Sequence, residues 1–305
     1  MAAKHVAVLM GGWSAEREVS LRSGKACGDA LEAQGYRVTR VDVERNVAEV
    51  LARLAPDVAF NVLHGRPGED GTIQGILEIL QIPYTHSGVL ASALAMDKPA
   101  AKVVMAAAGV PVPEGKVVSR AEAAKAHVIA PPYVIKPPAE GSSVGVYIVQ
   151  PDHAHPPQEL SRPDWPYGEE VLVERYVAGL ELTCAVMGEE ALGVIEIEPT
   201  TQFYDYESKY APGGSRHILP ARISPNIYQR ARNLALTAHR ALGCRGVSRA
   251  DFRFDPRSDG DLVCLEVNTQ PGMTEMSLVP ELAAHAGLSF GELVKWIVED
   301  ASLQR

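Results

Sequence analysis

GVSRADFRFDPRSDGDLVCLEVN, residues 246 to 268, is the stretch on which the fold turns. Apolar and polar residues alternate on both sides of Asp259-Gly260, a turn dipeptide, so 246–254 and 262–268 predict a β-hairpin. Side chains two apart on a strand share a face, which puts Arg249 with Asp251 and Glu266 with Asn268. Pairing the strands gathers an Asp, a Glu and an Asn, all hard oxygen donors. That set suits Mg²⁺, which takes one or two carboxylates and completes its octahedron with water and phosphate oxygens. The alternative is a solvated hairpin face with ordinary charge pairs. Thr269-Gln270-Pro271-Gly272-Met273-Thr274 follows at once. A glycine turn beside oxygen ligands suits a backbone N–H aimed at an anion.

Upstream of the hairpin the texture stays strand-rich. Residues 116–119, 133–136, 146–149, 171–177, 182–187 and 191–197 read as strands, more antiparallel in flavour than parallel. Residues 225–242 form an amphipathic helix ending at Gly243, and two further helices close the chain. The first hundred residues differ. Strands at 5–10, 37–43 and 58–63 alternate with helices, one beginning after a capping Ser14 and ending near Gly35, others at 72–81 and 87–108. Such alternation predicts a parallel sheet covered on both faces, so residues 1–97 are expected to form one small doubly wound domain. The proline-rich stretch 151–166 is expected to be a surface excursion. The polar, tyrosine-rich stretch 200–216 lacks periodicity, as a functional lid would.

Composition bounds the function. The chain has 305 residues, 46% of them hydrophobic, enough for about two domains and too apolar for disorder. No apolar run approaches the roughly 20 residues of a membrane helix, and residues 5–10 are too short a run for a signal peptide. With 38 acidic and 29 basic residues the net charge is −9, which argues against nucleic acid and anionic membranes as partners. The four cysteines, Cys27, Cys184, Cys244 and Cys264, have no metal-finger spacing. Reduced buried thiols in a cytoplasmic protein are the expectation.

A phosphate ligand therefore needs local basic groups. Lys136 precedes the loop Glu140-Gly141-Ser142-Ser143-Val144-Gly145, where an ammonium and several backbone N–H groups could surround phosphates, although a flexible turn is the simpler reading. This is no Walker A motif, because the lysine comes before the glycines. Lys98 is a second candidate. Met10-Gly11-Gly12 lacks the GxGxxG spacing, which leaves a nicotinamide oxidoreductase the weakest alternative. Glu16 sits where a first helical turn is expected and could simply complement the helix dipole. His64 leaves the carboxyl end of strand 58–63, where open α/β sheets bind ligands.

Six segments then combine in order: GGWSAEREVSL, HGRPGEDG, KPPAEGSSVG, FYDYESKY, GVSRADF and LEVNTQPGMT. Together, over nearly the whole chain, they resemble the D-alanine–D-alanine ligases of the ATP-grasp superfamily. The resemblance implies an α/β N-terminal domain over 1–97 and a two-lobed ATP-grasp domain over 98–305. Its central lobe would span 98–180 and its C-terminal lobe 181–305, with ATP between two antiparallel sheets. It implies ligation of two D-alanines through a D-alanyl phosphate, for peptidoglycan precursors.

By motif position, Lys98 and Lys136 should contact ATP phosphates, with Ser142 and Ser143 in the loop folding over them. Glu174, Val177 and Glu181 match the adenine and ribose hinge. Asp251, Glu266 and Asn268 match the ligands of two Mg²⁺ ions, with Mn²⁺ as a possible substitute. Glu16 matches the carboxylate that pairs with the first substrate's ammonium, steadied through Ser142 and Tyr210. Arg249 and the Gly272 N–H match the oxyanion stabilisers, Ser277 and Leu278 the second carboxylate's site, and His64 lies close to the reacting groups. Lys209 and Tyr210 fall in the closing loop.

Arg175-Tyr176 and Gln270 vary from the family pattern at contact positions, and 151–166 replaces the usual helical stretch. Expected partners are ATP and D-alanine, in a homodimer. Alternatives are D-lactate or D-serine as second substrate, or an ATP-binding regulator that has lost catalysis.

Overall fold

The computed structural model describes residues 3–142, 144–199, 214–257, 261–274 and 276–304. Strands β1 (His5–Gly11), β2 (Arg37–Val43) and β3 (Val58–Asn61) form a parallel sheet in the order β2-β1-β3. Both faces of β1 are buried, so its apolar residues run without interruption, as a doubly covered parallel strand requires. Val6 and Val8 face one core, Ala7 and Leu9 another. The helices here are α1 (Arg17–Ala33), α2 (Val47–Leu54) and α3 (Thr72–Ile79). Gly24 of α1 lies so close to β1 that a Cβ there would meet the Met10 sulfur at 2.4 Å.

Two details depart from the sequence reading. Ser14 does not cap α1 with its side chain; its Oγ accepts from the Glu16 N–H at 3.1 Å and donates to the His64 carbonyl at 2.6 Å. Glu16 itself occupies the cap position, just before the first helical turn. The expected helix over 87–108 is two: α4 (Val89–Met96) and α5 (Lys98–Ala107). Asp97 breaks it, adopting extended backbone and accepting from the Ala100 N–H at 3.0 Å ahead of Pro99.

A four-stranded sheet, β4-β7-β5-β6, follows from β4 (Gly115–Ser119), β5 (Tyr133–Lys136), β6 (Tyr147–Val149) and β7 (Glu170–Arg175). The short helix α6 (Arg120–Lys125) covers its core. Most of 151–166 is exposed, but Leu160, in a 3₁₀ turn at Gln158–Ser161, is buried in that same core.

The five-stranded sheet has the order β10-β9-β8-β11-β12 and antiparallel neighbours throughout. Its strands are β8 (Leu180–Met187), β9 (Glu190–Pro199), β10 (Ser215–Ile218), β11 (Val247–Asp255) and β12 (Asp261–Asn268). Ser215 and Arg216, expected in a loop, thus belong to a strand, while residues 200–213 of that loop lie outside the described ones. One face of the sheet packs α7 (Pro225–Ala241) and also Ala101 and Met105 of α5. The other face shares a core with β1, β3 and the closing helices α8 (Leu278–His285) and α9 (Phe290–Asp300). Tyr84 bridges to Ala59 and to Ser302, stitching the chain's last described segment to the N-terminal sheet.

All four cysteines are free and buried. His239, 3% exposed, lies on the buried face of α7 with Nδ1 2.7 Å from the Ser248 hydroxyl. Burial pushes its pKa down from 6.5 to about 4. The unfolded chain therefore binds a proton that the folded chain refuses, and stability falls as pH drops from 6.5 towards 4. The loss reaches about 3 kcal/mol at most. Denaturant titrations at pH 7 and pH 4.5 should show a smaller difference in His239→Gln than in the wild-type chain.

Candidate active site

The four- and five-stranded sheets enclose a cavity lined by Val134, Val146, Ile148, Val177 and Leu265, with Lys98, Lys136, Glu174, Glu181, Asp251 and Glu266 supplying the polar groups. A second, wider cleft lies between this unit and the N-terminal domain. It is lined by Glu16, His64, Ser142, Arg249, Asn268, Gly272, Ser277 and Leu278. Glu181, Asp251 and Glu266 line both. Every sequence-predicted site residue among the described ones thus lines one or both cavities. Ser143, Lys209 and Tyr210 lie outside the described residues.

The hairpin register creates the junction. Arg249 stands opposite Asn268 and Asp251 opposite Glu266, with a bulge just after Asp251. Arg249 grips Asp251 through Nε at 2.8 Å and Nη2 at 2.7 Å, and Asn268 donates Nδ2 to the same carboxylate at 2.9 Å. Lys98, the first residue of α5, reaches Glu266 at 3.2 Å and donates to the Glu140 carbonyl at 2.5 Å. That bond ties the loop after β5 to the carboxylate pair. Among the described residues no three His, Cys, Asp or Glu side chains form a metal-holding group of their own. Two carboxylates and an amide oxygen fit Mg²⁺, which leaves its remaining positions to phosphate and water.

Beneath the first cavity, Glu174 on β7 receives Lys136 at 2.7 Å and Lys102 at closer range. Burial alone would raise the Glu174 pKa, but the two lysines outweigh it and hold the carboxyl below its ordinary range. Two ammoniums share one carboxylate, so the triad keeps a surplus positive charge. Burial and the Lys136 charge bring Lys102 down to about 8. A buried surplus cation beside a cavity favours an anionic ligand there.

In the wider cleft, Ser142 donates to Glu16 and so joins the loop 140–145 to the N-terminal domain. Ser142 holds φ at +51°, a left-handed conformation uncommon for a side-chain-bearing residue. Gly141 passes close to the same carboxylate: a Cβ there would lie 3.2 Å from Glu16 Oε2. His64 is 5% exposed, with Nδ1 3.8 Å from Glu69 and Nε2 3.4 Å from the Ser23 hydroxyl. Burial would lower its pKa, yet Glu69 and Glu16 raise it above 6.5. Ser277 occupies the N-cap position of α8 without bonding the helix through its side chain, and its Oγ accepts instead from the Thr274 N–H at 3.0 Å.

Sequence reasoning missed three contributors. Lys102 stands one helical turn beyond Lys98, on the same side of α5, and that i, i+4 spacing was the available signal. Arg253 is two residues past Asp251; its Nε donates to the Val177 carbonyl at 3.1 Å and Nη1 lies 3.4 Å from Glu181. Thr183 on β8 stands opposite Asp251 on β11 and donates to it at 2.6 Å, a partnership that only sheet order reveals.

Two antiparallel sheets closing on lysines and paired carboxylates, behind a parallel-sheet domain, define an ATP-grasp protein. The family profile described as "D-ala D-ala ligase C-terminus" matches residues 104–299, and that described as "D-ala D-ala ligase N-terminus" matches 48–87. The chain belongs to the D-alanine–D-alanine ligase family. It is 77% identical over 305 residues to the D-alanine–D-alanine ligase of Xanthobacter autotrophicus, covering 99% of this chain and 100% of that one. It is 74% identical over 306 residues to that of Azorhizobium caulinodans, at 99% and 100% coverage. Among solved structures, the Bacillus anthracis D-alanine–D-alanine ligase complexed with ATP superposes with a TM-score of 0.81 at 30% identity, covering 98% of this chain and 97% of that one. The VanG D-Ala:D-Ser ligase of Enterococcus faecalis gives 0.80 at 31% identity, covering 97% and 99%.

Proposed function

We propose that this chain joins two D-alanines at the expense of ATP, through a D-alanyl phosphate. The junction of the two cavities at Asp251 and Glu266 carries the reading, because it lets a nucleotide and an amino acid meet over one pair of carboxylates. ATP would lie in the first cavity, its base among Val134, Val177 and Leu265 and held by Glu174 and Glu181. Lys98 and Lys136 would meet its phosphates, and the loop 140–145 would cover them.

A carboxylate oxygen of the first D-alanine takes the γ-phosphoryl group, and ADP leaves. The amine of the second D-alanine then attacks the carbonyl carbon of the acyl phosphate. The tetrahedral intermediate loses a proton and expels phosphate, leaving the dipeptide. Glu16, steadied by Ser142, is placed to pair with the first ammonium. Arg249 and the Gly272 N–H supply donors where negative charge develops. Ser277, with the first N–H groups of α8 beyond it, suits the second carboxylate. Mg²⁺ held by Asp251, Glu266 and Asn268 would supply charge neutralisation during phosphoryl transfer.

The VanG likeness means that the fold alone accommodates more than one second substrate, whereas the high identity to the curated relatives favours D-alanine. No helix among the described residues is long and apolar enough to cross a membrane, and the buried free thiols suit a reducing cytoplasm. A homodimer is the assembly we expect.

The test is ADP release with D-alanine, D-lactate and D-serine supplied singly and in pairs, with Mg²⁺ present. D-Alanine alone should drive turnover and yield one dipeptide per ADP. No stimulation by D-alanine would overturn the reading.

A further inference from the structure

Gln270, in the turn that follows β12, turns its side chain away from solvent. It is 2% exposed and meets Asn61, 1% exposed, from the opposite domain. Asn61 Nδ2 donates to Gln270 Oε1 at 3.0 Å, and Gln270 Nε2 donates back to the Asn61 carbonyl. Asn61 is itself fixed, with Nδ2 also on the Gly68 carbonyl at 3.0 Å and Oδ1 accepting from the Leu63 N–H at 3.1 Å. The N-terminal domain holds the same turn twice more. The Ser23 hydroxyl accepts from the Met273 N–H at 3.4 Å, and the Cys27 thiol lies 3.8 Å from the Met273 carbonyl. Downstream, Ser277 ties Thr274. Gly272 lies between these ties, and a Cβ there would come within 3.0 Å of the Ser277 oxygen.

We infer that the Asn61–Gln270 amide clasp positions the Gly272 N–H for the reaction, making Gln270 and Asn61 positioning residues for the transition state. The physical reason is geometric. An oxyanion donor works only when its N–H is already aimed, and this turn, running from the end of β12 to the start of α8 outside both elements, is kept aimed by the side chains that tie it. Buried amides meeting at two points fix both distance and rotation. A single tie would leave the turn free to pivot. The clasp also spans two domains, so it sets the turn relative to Glu16 and His64, which the N-terminal domain supplies.

This inference rests on the role proposed above for Gly272, and the experiment separates the two. D-Alanine-dependent ADP release by the wild-type chain tests the ligase reading by itself. Gln270→Met keeps the volume and removes both amide bonds. We expect kcat to fall 10- to 100-fold, KM for ATP to stay within about twofold, and amide exchange across residues 270–274 to quicken at least tenfold. Asn61→Ala removes one of the two bonds and leaves the Gln270 amide on the main-chain carbonyl at position 61, so it should lower kcat in the same direction by no more than Gln270→Met, and the double variant should do little more than Gln270→Met alone. Unchanged kcat, unchanged exchange in 270–274, or additive effects in the double variant would each overturn the clasp while leaving the ligase reading intact. Should Gln270→Met fail to fold, exchange in the wild-type chain still decides. Amides at 270–274 exchanging as fast as an exposed turn would refute the inference, and protection matching that of β3 would support it.

Discussion

Glu266→Gln should leave a folded protein whose turnover is at least about 1,000-fold slower, a loss of roughly 4 kcal/mol in transition-state stabilisation. The substitution keeps shape and removes one negative charge at the place where the two cavities join. Glu266 lies opposite Asp251 and 3.2 Å from Lys98. Without its charge the pair can no longer hold a divalent cation between nucleotide and acceptor, and Lys98 loses its fixed partner. Stability should change little, because Glu266 lies at the edge of both cavities. ADP release at saturating ATP and D-alanine, over a Mg²⁺ titration, checks the prediction. Turnover within tenfold of wild type would remove Glu266 from the metal set.

Glu174→Gln is expected to damage the protein itself. Its side chain is 3% exposed and those of Lys102 and Lys136 are 8% and 10%. Neutralising the carboxylate leaves two ammoniums facing each other in a buried pocket. Breaking a buried pair from one side costs about 3–5 kcal/mol. Here one change strands two cations, so the upper part of that range is expected at neutral pH. Denaturant unfolding measures it directly. Lys102, already brought down to about 8, should then lose its proton more readily. Part of the lost stability should accordingly return as pH rises towards 9. Adding Lys102→Met to Glu174→Gln should recover stability too, since it removes one of the stranded charges. A double variant no more stable than the single would contradict this electrostatic account.

Much of this arrangement was legible in the sequence because it depends on local periodicity. The alternation around residues 246–268 implied the juxtaposition of Asp251, Glu266 and Asn268, and the strand register brings these residues together. The apolar run at β1 announced a doubly covered strand. Other features follow rules visible in the sequence but were masked by neighbours. Val47, Val50, Leu51 and Leu54 have helical spacing, and Asp97-Lys98-Pro99 has the form of a helix start inside what reads as one long helix. The two ATP-gripping sheets were implied by family resemblance and not by periodicity. The contacts that no pattern announces are the long-range ones. Thr183 meets Asp251, and Asn61 meets Gln270, only because sheet order and domain docking bring distant segments together.

The shared core between the first strands and the closing helices has a consequence for how the chain is made. Val6, Val8 and Phe60 complete their packing against Leu293, Ile297 and Val298. A ribosome delivers the first group long before the second. Throughout synthesis the N-terminal sheet must therefore present an apolar face with no permanent cover, an invitation to chaperones and a hazard for aggregation. Tyr84 waits likewise for Ser302. Synthesis of α9, rather than completion of the N-terminal sheet, is the event that seals this enzyme, and a nascent chain stalled before α9 would carry that unsealed face as its mark.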